Sequence, residues 1–257
     1  MVGPHRVRFA GKTDIGKVRA HNEDSLLVPK EMALAVVSDG MGGHASGEVA
    51  SRITVETIDQ YYRDTSRSGP TTWPLKLPNL EAERQRMAVA IQLANSNIFD
   101  TAAADGAKKG MGCTVDAIYF SQGRFFIGHV GDSRVYRIRN GTIQMLTEDH
   151  SFLNDYLRMK DLSTDEGVNL PHKNVVVRAL GLNEQVHVDV IHDEFRVGDL
   201  YLLCSDGLSG MLKDAHMMEI STATNSLDTG CNELIKAAND EGGNDNISAI
   251  LIRVERP

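Results

Sequence analysis

The segment VVSDGMGGHASGE, residues 36–48, joins a short apolar run to an Asp-Gly pair and then to a cluster of glycines. Asp-Gly is a common turn signal, because glycine tolerates a positive φ and aspartate hydrogen-bonds its own backbone. The apolar residues 33–38 predict a buried strand before the pair. Apolar residues at helical spacing predict an amphipathic helix from residue 45 to about residue 62. Taken alone, the segment indicates only a turn between a strand and a helix.

The order of helices and strands predicted along the rest of the chain indicates an α+β protein. Apolar residues at helical spacing between 87 and 98 indicate a second long helix. Short strands separated by turn signals follow over residues 113–147, a pattern typical of an antiparallel meander. Two more strands, two helical stretches within 213–240 and a final strand at 247–254 complete the chain. Strands in runs with helices inserted in pairs favour antiparallel sheets over alternating βαβ units.

The predicted elements form one unit with one long irregular insertion. No linker separates two cores, so we expect a single domain over residues 1–257. Residues 148–174 are polar, and we expect one short helix there, near 151–160. A segment of that length inside a compact domain is usually functional.

Composition and charge exclude several classes of protein. Hydrophobic residues make up 41% of the chain, which is enough for a buried core. The formal net charge of −8 argues against a nucleic-acid partner, since phosphate binding needs a basic surface. The three cysteines are far apart without a CxxC pair, so neither a disulfide framework nor a zinc site is indicated. The sequence shows no signal peptide and no apolar stretch of membrane-helix length. We expect a cytoplasmic monomer with no membrane partner.

Carboxylates recur at the ends of the predicted strands. Asp39 and Asp206 each follow an apolar strand within a Ser-Asp-Gly triplet. Asp245 lies between two asparagines just before the last strand, and Asp132 stands in the sequence VGDSR. If these strand ends converge, the four ionised carboxylates need a cation, because like charges at close range disfavour ionisation. Oxygen-only ligands select Mg²⁺ or Mn²⁺ over zinc or copper.

Two other interpretations of the glycine cluster are weaker. The sequence GGHASGE has a spacing like that of a phosphate-binding P-loop, but it ends in Glu48 rather than lysine. Gly40, Gly42 and Ala45 loosely fit the dinucleotide-binding fingerprint. That site would place Asp39 beside the pyrophosphate, and no βαβ unit follows. The missing lysine rules out a P-loop, so these patterns leave open a turn, a dinucleotide-binding loop and a cation site.

Eight short motifs follow one another along the chain: DIGKVRAHNEDS, VVSDGMGGHASGEVAS, MGCTV, HVGDSRVY, LTEDHS, RALG, LLCSDGL and GGNDNIS. Their order resembles that of type 2C, metal-dependent protein serine/threonine phosphatases, the PPM family, and most closely its bacterial branch. The resemblance runs from about residue 13 to residue 254. It implies an α-β-β-α sandwich of two antiparallel sheets flanked by helix pairs, in agreement with the α+β pattern.

The resemblance gives the recurring carboxylates metal-binding roles. Asp39 is expected to bridge two Mn²⁺ or Mg²⁺ ions, and the carbonyl of Gly40 is expected to bind one of them. Asp206 and Asp245 are expected to bind the other ion. Asp132, together with Asp206, resembles the third-metal site of bacterial members.

Further residues match family positions beside the metals. Arg19 matches the arginine that holds the substrate phosphate. Glu23 and Asp24 match acidic residues that orient metal-bound water, and Asn246 is expected to support this group. The family mechanism implies that a hydroxide bridging the two metals attacks phosphorus directly, without a phospho-enzyme.

The proton donor to the leaving oxygen differs from that of eukaryotic members. They carry a histidine directly after the Asp-Gly pair, where this chain has Met41. His44 and a metal-bound water are the alternatives, and a purely structural role for His44 is also open.

The segment 148–174 matches the variable flap of the family. We interpret the residues at its two ends as structural or substrate-contacting and not as metal ligands: His150, Ser151, His172, Asn174 and Arg178. His21 and His129 are expected to be polar residues with satisfied hydrogen bonds.

The resemblance implies a phosphatase that acts on phosphoserine and phosphothreonine in proteins, with substrates of serine/threonine kinases as its partners. A general small-molecule phosphomonoesterase is one alternative. A non-catalytic, metal-binding regulatory relative is another, but a degenerate member would lack at least one of five residues that are all present: Arg19, Asp39, Asp132, Asp206 and Asp245.

Overall fold

Two five-stranded antiparallel sheets form the framework of the computed structural model. The structure describes residues 5–29, 32–42, 46–67, 79–151 and 177–256. The strands are β1 (Arg6–Asp14), β2 (Ser25–Leu27), β3 (Leu34–Ser38), β4 (Gly40–Met41), β5 (Gly112–Cys113), β6 (Val115–Ser121), β7 (Arg124–Val130), β8 (Arg134–Arg139), β9 (Thr142–Met145), β10 (Asp189–Glu194), β11 (Leu200–Cys204) and β12 (Ile247–Glu255). The described helices are α1 (Ser46–Arg67), α2 (Asn79–Ala104), α3 (Asp206–Ser209), α4 (Asp214–Thr222) and α5 (Leu227–Asp240), with a 3₁₀ turn at Gly106–Lys108.

The sheets and helices pack in four layers. One sheet has the strand order β1-β12-β11-β8-β9, and the other has the order β10-β7-β6-β3-β2. A buried apolar cluster between them draws residues from both sheets. A second cluster joins the outer face of the first sheet to α3, α4 and α5, and a third joins the outer face of the other sheet to α1 and α2. The predicted α+β sandwich of two antiparallel sheets flanked by helices is confirmed.

Helical periodicity identified the buried face of α2 correctly, whereas on α1 the predicted Ile53 and Tyr61 are only partly buried. On α2, Met87, Ile91, Ala94 and Ile98 are all fully buried against the sheet. The apolar spacing of residues 87–98 is therefore the signature of the helix face that packs on the core. Both long helices extend beyond the apolar residues that predict them, because their ends carry polar side chains.

The prediction that the strands of residues 113–147 form one continuous antiparallel meander is wrong. β6 and β7 form one antiparallel pair, and β8 and β9 form another, but the two pairs lie in different sheets. Turn signals between strands are local and do not specify which sheet a strand joins. The chain crosses between the sheets at Gly131, Asp132 and Ser133, which places one of the predicted ligand positions at the crossing.

Two further expectations concern the segment after β9 and the membrane. Residues 152–176, which contain most of the expected flap and its short helix, lie outside the described residues. Within the described ranges, no helix combines the length and the apolar character that a membrane crossing demands.

Candidate active site

One pocket gathers most of the predicted site residues. It has a volume of about 230 Å³ and is lined by Arg19, Glu23, Asp39, Gly40, Met41, Gly42, Thr114, Asp132, Asp206 and Asp245. The structure therefore brings all four recurring carboxylates together, as convergence of the strand ends requires. Asp24 and Asn246 are buried beside this lining, and His44 lies outside the described residues.

The strand topology explains why distant carboxylates meet. Asp206 follows β11 and Asp245 precedes β12, and these two strands are antiparallel neighbours, so their adjoining ends lie side by side. The glycine of the second Asp-Gly pair permits this approach. A Cβ at Gly207 would lie 2.1 Å from the carbonyl oxygen of Asn246, which only glycine avoids.

Thr114 connects the Asp39 turn to the crossing between the sheets. Its backbone N–H donates to the carbonyl of Asp39 at 2.8 Å, and its hydroxyl oxygen accepts the N–H of Asp39 at 3.0 Å. The same hydroxyl lies 2.7 Å from the hydroxyl of Ser133, the residue after Asp132. The motif MGCTV includes this threonine, but sequence analysis assigned it no role.

Burial and mutual repulsion raise the pKa values of the clustered carboxylates. Burial, and then the charges of Asp24 and Asp206, raise the pKa of Asp39 well above its usual range. Burial and then Asp206 raise the pKa of Asp132 to about 7. For Asp206, burial and then the charge of Asp245 raise the pKa, although a hydrogen bond with Asp39 opposes the rise. The pocket therefore resists holding several ionised carboxylates without a compensating positive charge.

Asp24 is the most deeply buried acid at the site. Its Oδ2 accepts hydrogen bonds from the hydroxyls of Ser205 at 2.9 Å and Ser248 at 2.6 Å. Its Oδ1 is buried and has no hydrogen-bond partner among the described atoms. Burial raises the pKa of Asp24 to about 7 against the effect of these two hydrogen bonds. Sequence analysis identified Asp24 but neither serine.

The donor set fits a hard divalent cation. Carboxylates and backbone carbonyls are the ligands that Mg²⁺ and Mn²⁺ prefer, and the described lining contains no cysteine or histidine. Within the ranges the structure describes, no group of three or more His, Cys, Asp or Glu side chains is spaced as a metal cage. Asp39 and Asp206 are hydrogen-bonded to each other, and Asp245 is paired with Arg19.

Arg19 stands at the exposed side of the pocket. Its Nη2 donates to Oδ2 of Asp245 at 2.5 Å, and about half of its side chain is exposed. Asn246 holds the loop that carries it. The Oδ1 of Asn246 accepts the N–H of Glu23 at 2.8 Å, while its Nδ2 donates to the carbonyls of Ile15 and His21 at 3.0 and 2.9 Å. A buried side chain thus fixes the loop at three backbone points.

Other residues singled out from the sequence are not part of the pocket lining. His129 is fully buried and bonded through both ring nitrogens, as expected for a satisfied polar residue, whereas His21 is exposed. His150 is buried and hydrogen-bonded to Gly131. Arg178 contacts His150, and His172 and Asn174 fall outside the described part of the chain.

Comparisons with known proteins agree with this geometry. The family model "Protein phosphatase 2C" matches residues 17–251. The serine/threonine phosphatase Stp of Listeria innocua is 36% identical over 244 residues, which span 94% of this chain and 93% of the relative. The crystal structure of a serine/threonine phosphatase from S. agalactiae has a TM-score of 0.86 at 32% identity, covering 97% of this chain and 100% of that one. The catalytic domain of the phosphatase PstP, solved with two manganese ions, has a TM-score of 0.81 at 31% identity, covering 97% and 98%.

Proposed function

This chain belongs to the protein phosphatase 2C family, and on that premise we propose that it hydrolyses phosphoserine and phosphothreonine in proteins by direct attack of water on phosphorus. It is a protein serine/threonine phosphatase with a dinuclear Mn²⁺ or Mg²⁺ centre. The observation that carries the mechanistic proposal is one pocket with a half-exposed arginine at its edge and four aspartates in its lining.

The family resemblance assigns the metal ligands, and all of them are among the residues that line the pocket. Asp39 and the carbonyl of Gly40 would hold one ion, and Asp39, Asp206 and Asp245 would hold the second. Asp132 and Asp206 would hold a third ion. When bound, the metal ions lower the pKa of a shared water and offset the charge of the phosphate.

Direct attack by water is favoured because the described lining offers no cysteine, histidine or serine nucleophile, and its four aspartates, which could otherwise attack phosphorus, are the proposed metal ligands. The hydroxyl of the described lining, on Thr114, is engaged with the N–H of Asp39 and the hydroxyl of Ser133. Cys113, the residue before Thr114, is buried. Burial raises the pKa of its thiol to about 11, so the thiol is protonated at neutral pH.

Arg19 would bind the substrate phosphate. A guanidinium presents five N–H donors in one plane, so Arg19 can keep one bond to Asp245 and direct others to two phosphate oxygens. The same positive charge offsets the negative charge that builds up on the phosphoryl oxygens in the transition state. Asn246 fixes the loop and so limits the positions that the guanidinium can take.

Asp24 and Glu23 would orient the attacking water. The two serine hydroxyls hold one oxygen of Asp24, which leaves the other oxygen for a water molecule. Met41 in the lining has no proton to give to the leaving oxygen, so His44 and water are the donors that we propose.

Phosphate release from phosphoserine and phosphothreonine peptides tests the proposal. We expect turnover that depends on Mn²⁺ or Mg²⁺ and stops when a chelator is added. A panel of sugar and nucleoside monophosphates, assayed in parallel, separates this activity from a general small-molecule phosphomonoesterase. Chelator-insensitive turnover, or accumulation of a phosphorylated enzyme, would contradict the mechanism.

A further inference from the structure

His150 contacts both backbone polar groups of Gly131, the residue directly before Asp132 of the pocket lining. It is 5% exposed, and its backbone N–H donates to the carbonyl of Gly131 at 2.7 Å. Its ring Nδ1 lies 3.0 Å from the backbone N–H of Gly131 and accepts that hydrogen bond. A single residue therefore satisfies both the carbonyl and the N–H of Gly131, the residue directly before Asp132.

Gly131 needs such support, because its conformation is unusual. Its φ of 118° lies in the region that favours glycine, and a Cβ there would lie 2.6 Å from the side chain of Thr114. Thr114 in turn holds the backbone of Asp39. Gly131 is thus packed between Thr114 on one side and His150 on the other, and a shift of this turn would move Asp132 relative to Asp39.

The far side of the imidazole is anchored as well. Because Nδ1 accepts from Gly131, the proton of the neutral ring is assigned to Nε2, which lies 3.1 Å from Oδ2 of Asp189 and can donate to it; Nη1 of Arg178 lies 2.8 Å from the same Nε2. Burial, and next the neighbouring His129, lower the pKa of His150 to about 4, which keeps the ring neutral at physiological pH. Arg178 balances the charge of Asp189 through a contact at 3.2 Å.

Backbone hydrogen bonds also connect the region of His150 to the strand that carries Gly40. The carbonyl of His150 accepts the N–H of Val177 at 2.9 Å. Leu180, three residues further on, exchanges two backbone hydrogen bonds with Cys113, and Cys113 pairs with Gly40. His150 is therefore bonded both to Gly131 and to the start of the segment 177–180, whose last residue pairs with Cys113 beside Gly40.

We propose that His150 is a positioning residue for the phosphatase reaction, because its Nδ1 holds the Gly131 amide and so fixes Asp132 in the pocket. This inference rests on the proposed function, in which Asp132 belongs to the reactive site. The competing explanation is that His150 merely fills space, stacked on His129 with ring centroids 4.6 Å apart.

Two substitutions separate these explanations. His150→Asn places an amide oxygen near the position of Nδ1, so it can still accept from Gly131 but cannot reach Asp189. His150→Gln places its amide near the position of Nε2, so it can still reach Asp189 but leaves the Gly131 N–H unpaired. Asp189→Asn is a matched control that changes the far side without touching Gly131. All three variants are first checked for folding by circular dichroism and thermal melting.

We expect the glutamine variant alone to lose turnover. With p-nitrophenyl phosphate and saturating Mn²⁺, His150→Gln should lose about tenfold or more in kcat with a smaller change in KM, because a shift of about 1 Å at a reactive site costs that much or more. His150→Asn and Asp189→Asn should each keep roughly a third or more of the wild-type kcat. Equal losses in the asparagine and glutamine variants would indicate space filling and overturn the proposal. So would unfolding of the glutamine variant alone, since the contact would then support the fold.

Amide hydrogen exchange gives a readout that needs no activity. The Gly131 N–H should stay protected in wild type and in His150→Asn and should exchange faster in His150→Gln. Protection in both variants would refute the assigned contact. If wild type itself shows no Mn²⁺-dependent turnover, the proposed function fails, and the exchange data still decide whether His150 holds Gly131.

Discussion

The guanidinium of Arg19 donates to the carboxylate of Asp245 at 2.5 Å, although the two residues are 226 positions apart in the chain. The group proposed to bind phosphate is thus in direct contact with a group proposed to bind metal. The proposed phosphate site and the proposed metal site therefore share one ion pair. Substituting Arg19 and the metal ligands separately can distinguish their contributions.

Arg19→Ala should weaken phosphate binding without emptying the metal site. We expect kcat/KM to fall about 100-fold or more, because that is the typical loss in rate when one hydrogen-bond donor to the transition state is removed. Mn²⁺ binding, measured by calorimetry, should keep its stoichiometry, because the substitution removes a guanidinium group and no proposed metal ligand. Arg8→Ala, which breaks the exposed contact with Glu255, is the matched control and should change neither quantity. Loss of bound metal in Arg19→Ala would mean that Arg19 is structural.

The metal-free protein should lose stability as pH rises. The folded-state pKa values of Asp24 and Asp132 are about 7, and that of Asp206 is also raised, above the ordinary value of about 3.9. An acid with a raised folded pKa contributes stability that is fully present below its unfolded pKa and lost as pH rises through its folded pKa. Thermal melting of the chelated protein should therefore give a lower Tm at about pH 8 than at about pH 5.5.

Added Mn²⁺ should reverse this trend. The cation binds the ionised carboxylates and competes with protons, so the rise in Tm on adding Mn²⁺ should be larger at about pH 8 than at about pH 5.5. An equal rise at both pH values would show that these carboxylates do not hold the metal.

Thr114→Val should disturb the site through the backbone of Asp39. The substitution keeps the side-chain shape but removes the acceptor of the Asp39 N–H, which leaves that group and Ser133 without a partner. We expect a kcat roughly tenfold or more lower and weaker Mn²⁺ binding. Thr114→Ser keeps the hydroxyl and should restore most of the activity. If valine and serine behave alike, the hydroxyl has no part in positioning Asp39.

Asn246→Ala should release the loop that carries Arg19. The change leaves one backbone N–H and two backbone carbonyls without their partner, at a cost of about 1–3 kcal/mol for each group that stays buried. Tm should fall and KM for phosphopeptides should rise. Asn244→Ala, at an exposed position two residues before Asn246, is the control and should leave both near wild type. An unchanged KM in a destabilised Asn246→Ala protein would argue that the loop does not set the position of Arg19.

Local signals in the sequence predicted much of the fold and the four aspartates of the pocket, whereas Arg19, Glu23 and Gly40 were identified by the family resemblance. Helical periodicity found the buried face of α2, and the Ser-Asp-Gly triplets marked two strand ends that meet at the pocket. β1 (Arg6–Asp14) was missed because it is an edge strand, and only Ala10 within it is buried. The crossing between the sheets at Gly131 was missed because hairpin signals carry no information about sheet membership.

Contacts between distant residues could not be predicted. Asn246 bonds to backbone groups 223 to 231 residues away, and Ser205 and Ser248 meet Asp24 across 181 and 224 residues. Nothing in their local sequence distinguishes these side chains from ordinary polar residues at strand ends. Their roles follow only from the pairing of β11 with β12 and of β12 with β1.

A Mn²⁺ titration of phosphate release from a phosphothreonine peptide, run on wild type and Asp206→Asn, tests the central claim most directly. The substitution keeps the size of the side chain and removes one anionic ligand, so the account predicts a folded protein with sharply weakened Mn²⁺ dependence and a kcat lower by about 100-fold or more. Asp214→Asn, at an exposed position on α4, is the matched control and should follow the wild-type curve. A folded Asp206→Asn protein with wild-type turnover and an unchanged Mn²⁺ curve would contradict the assignment of this pocket as the metal-dependent phosphatase site.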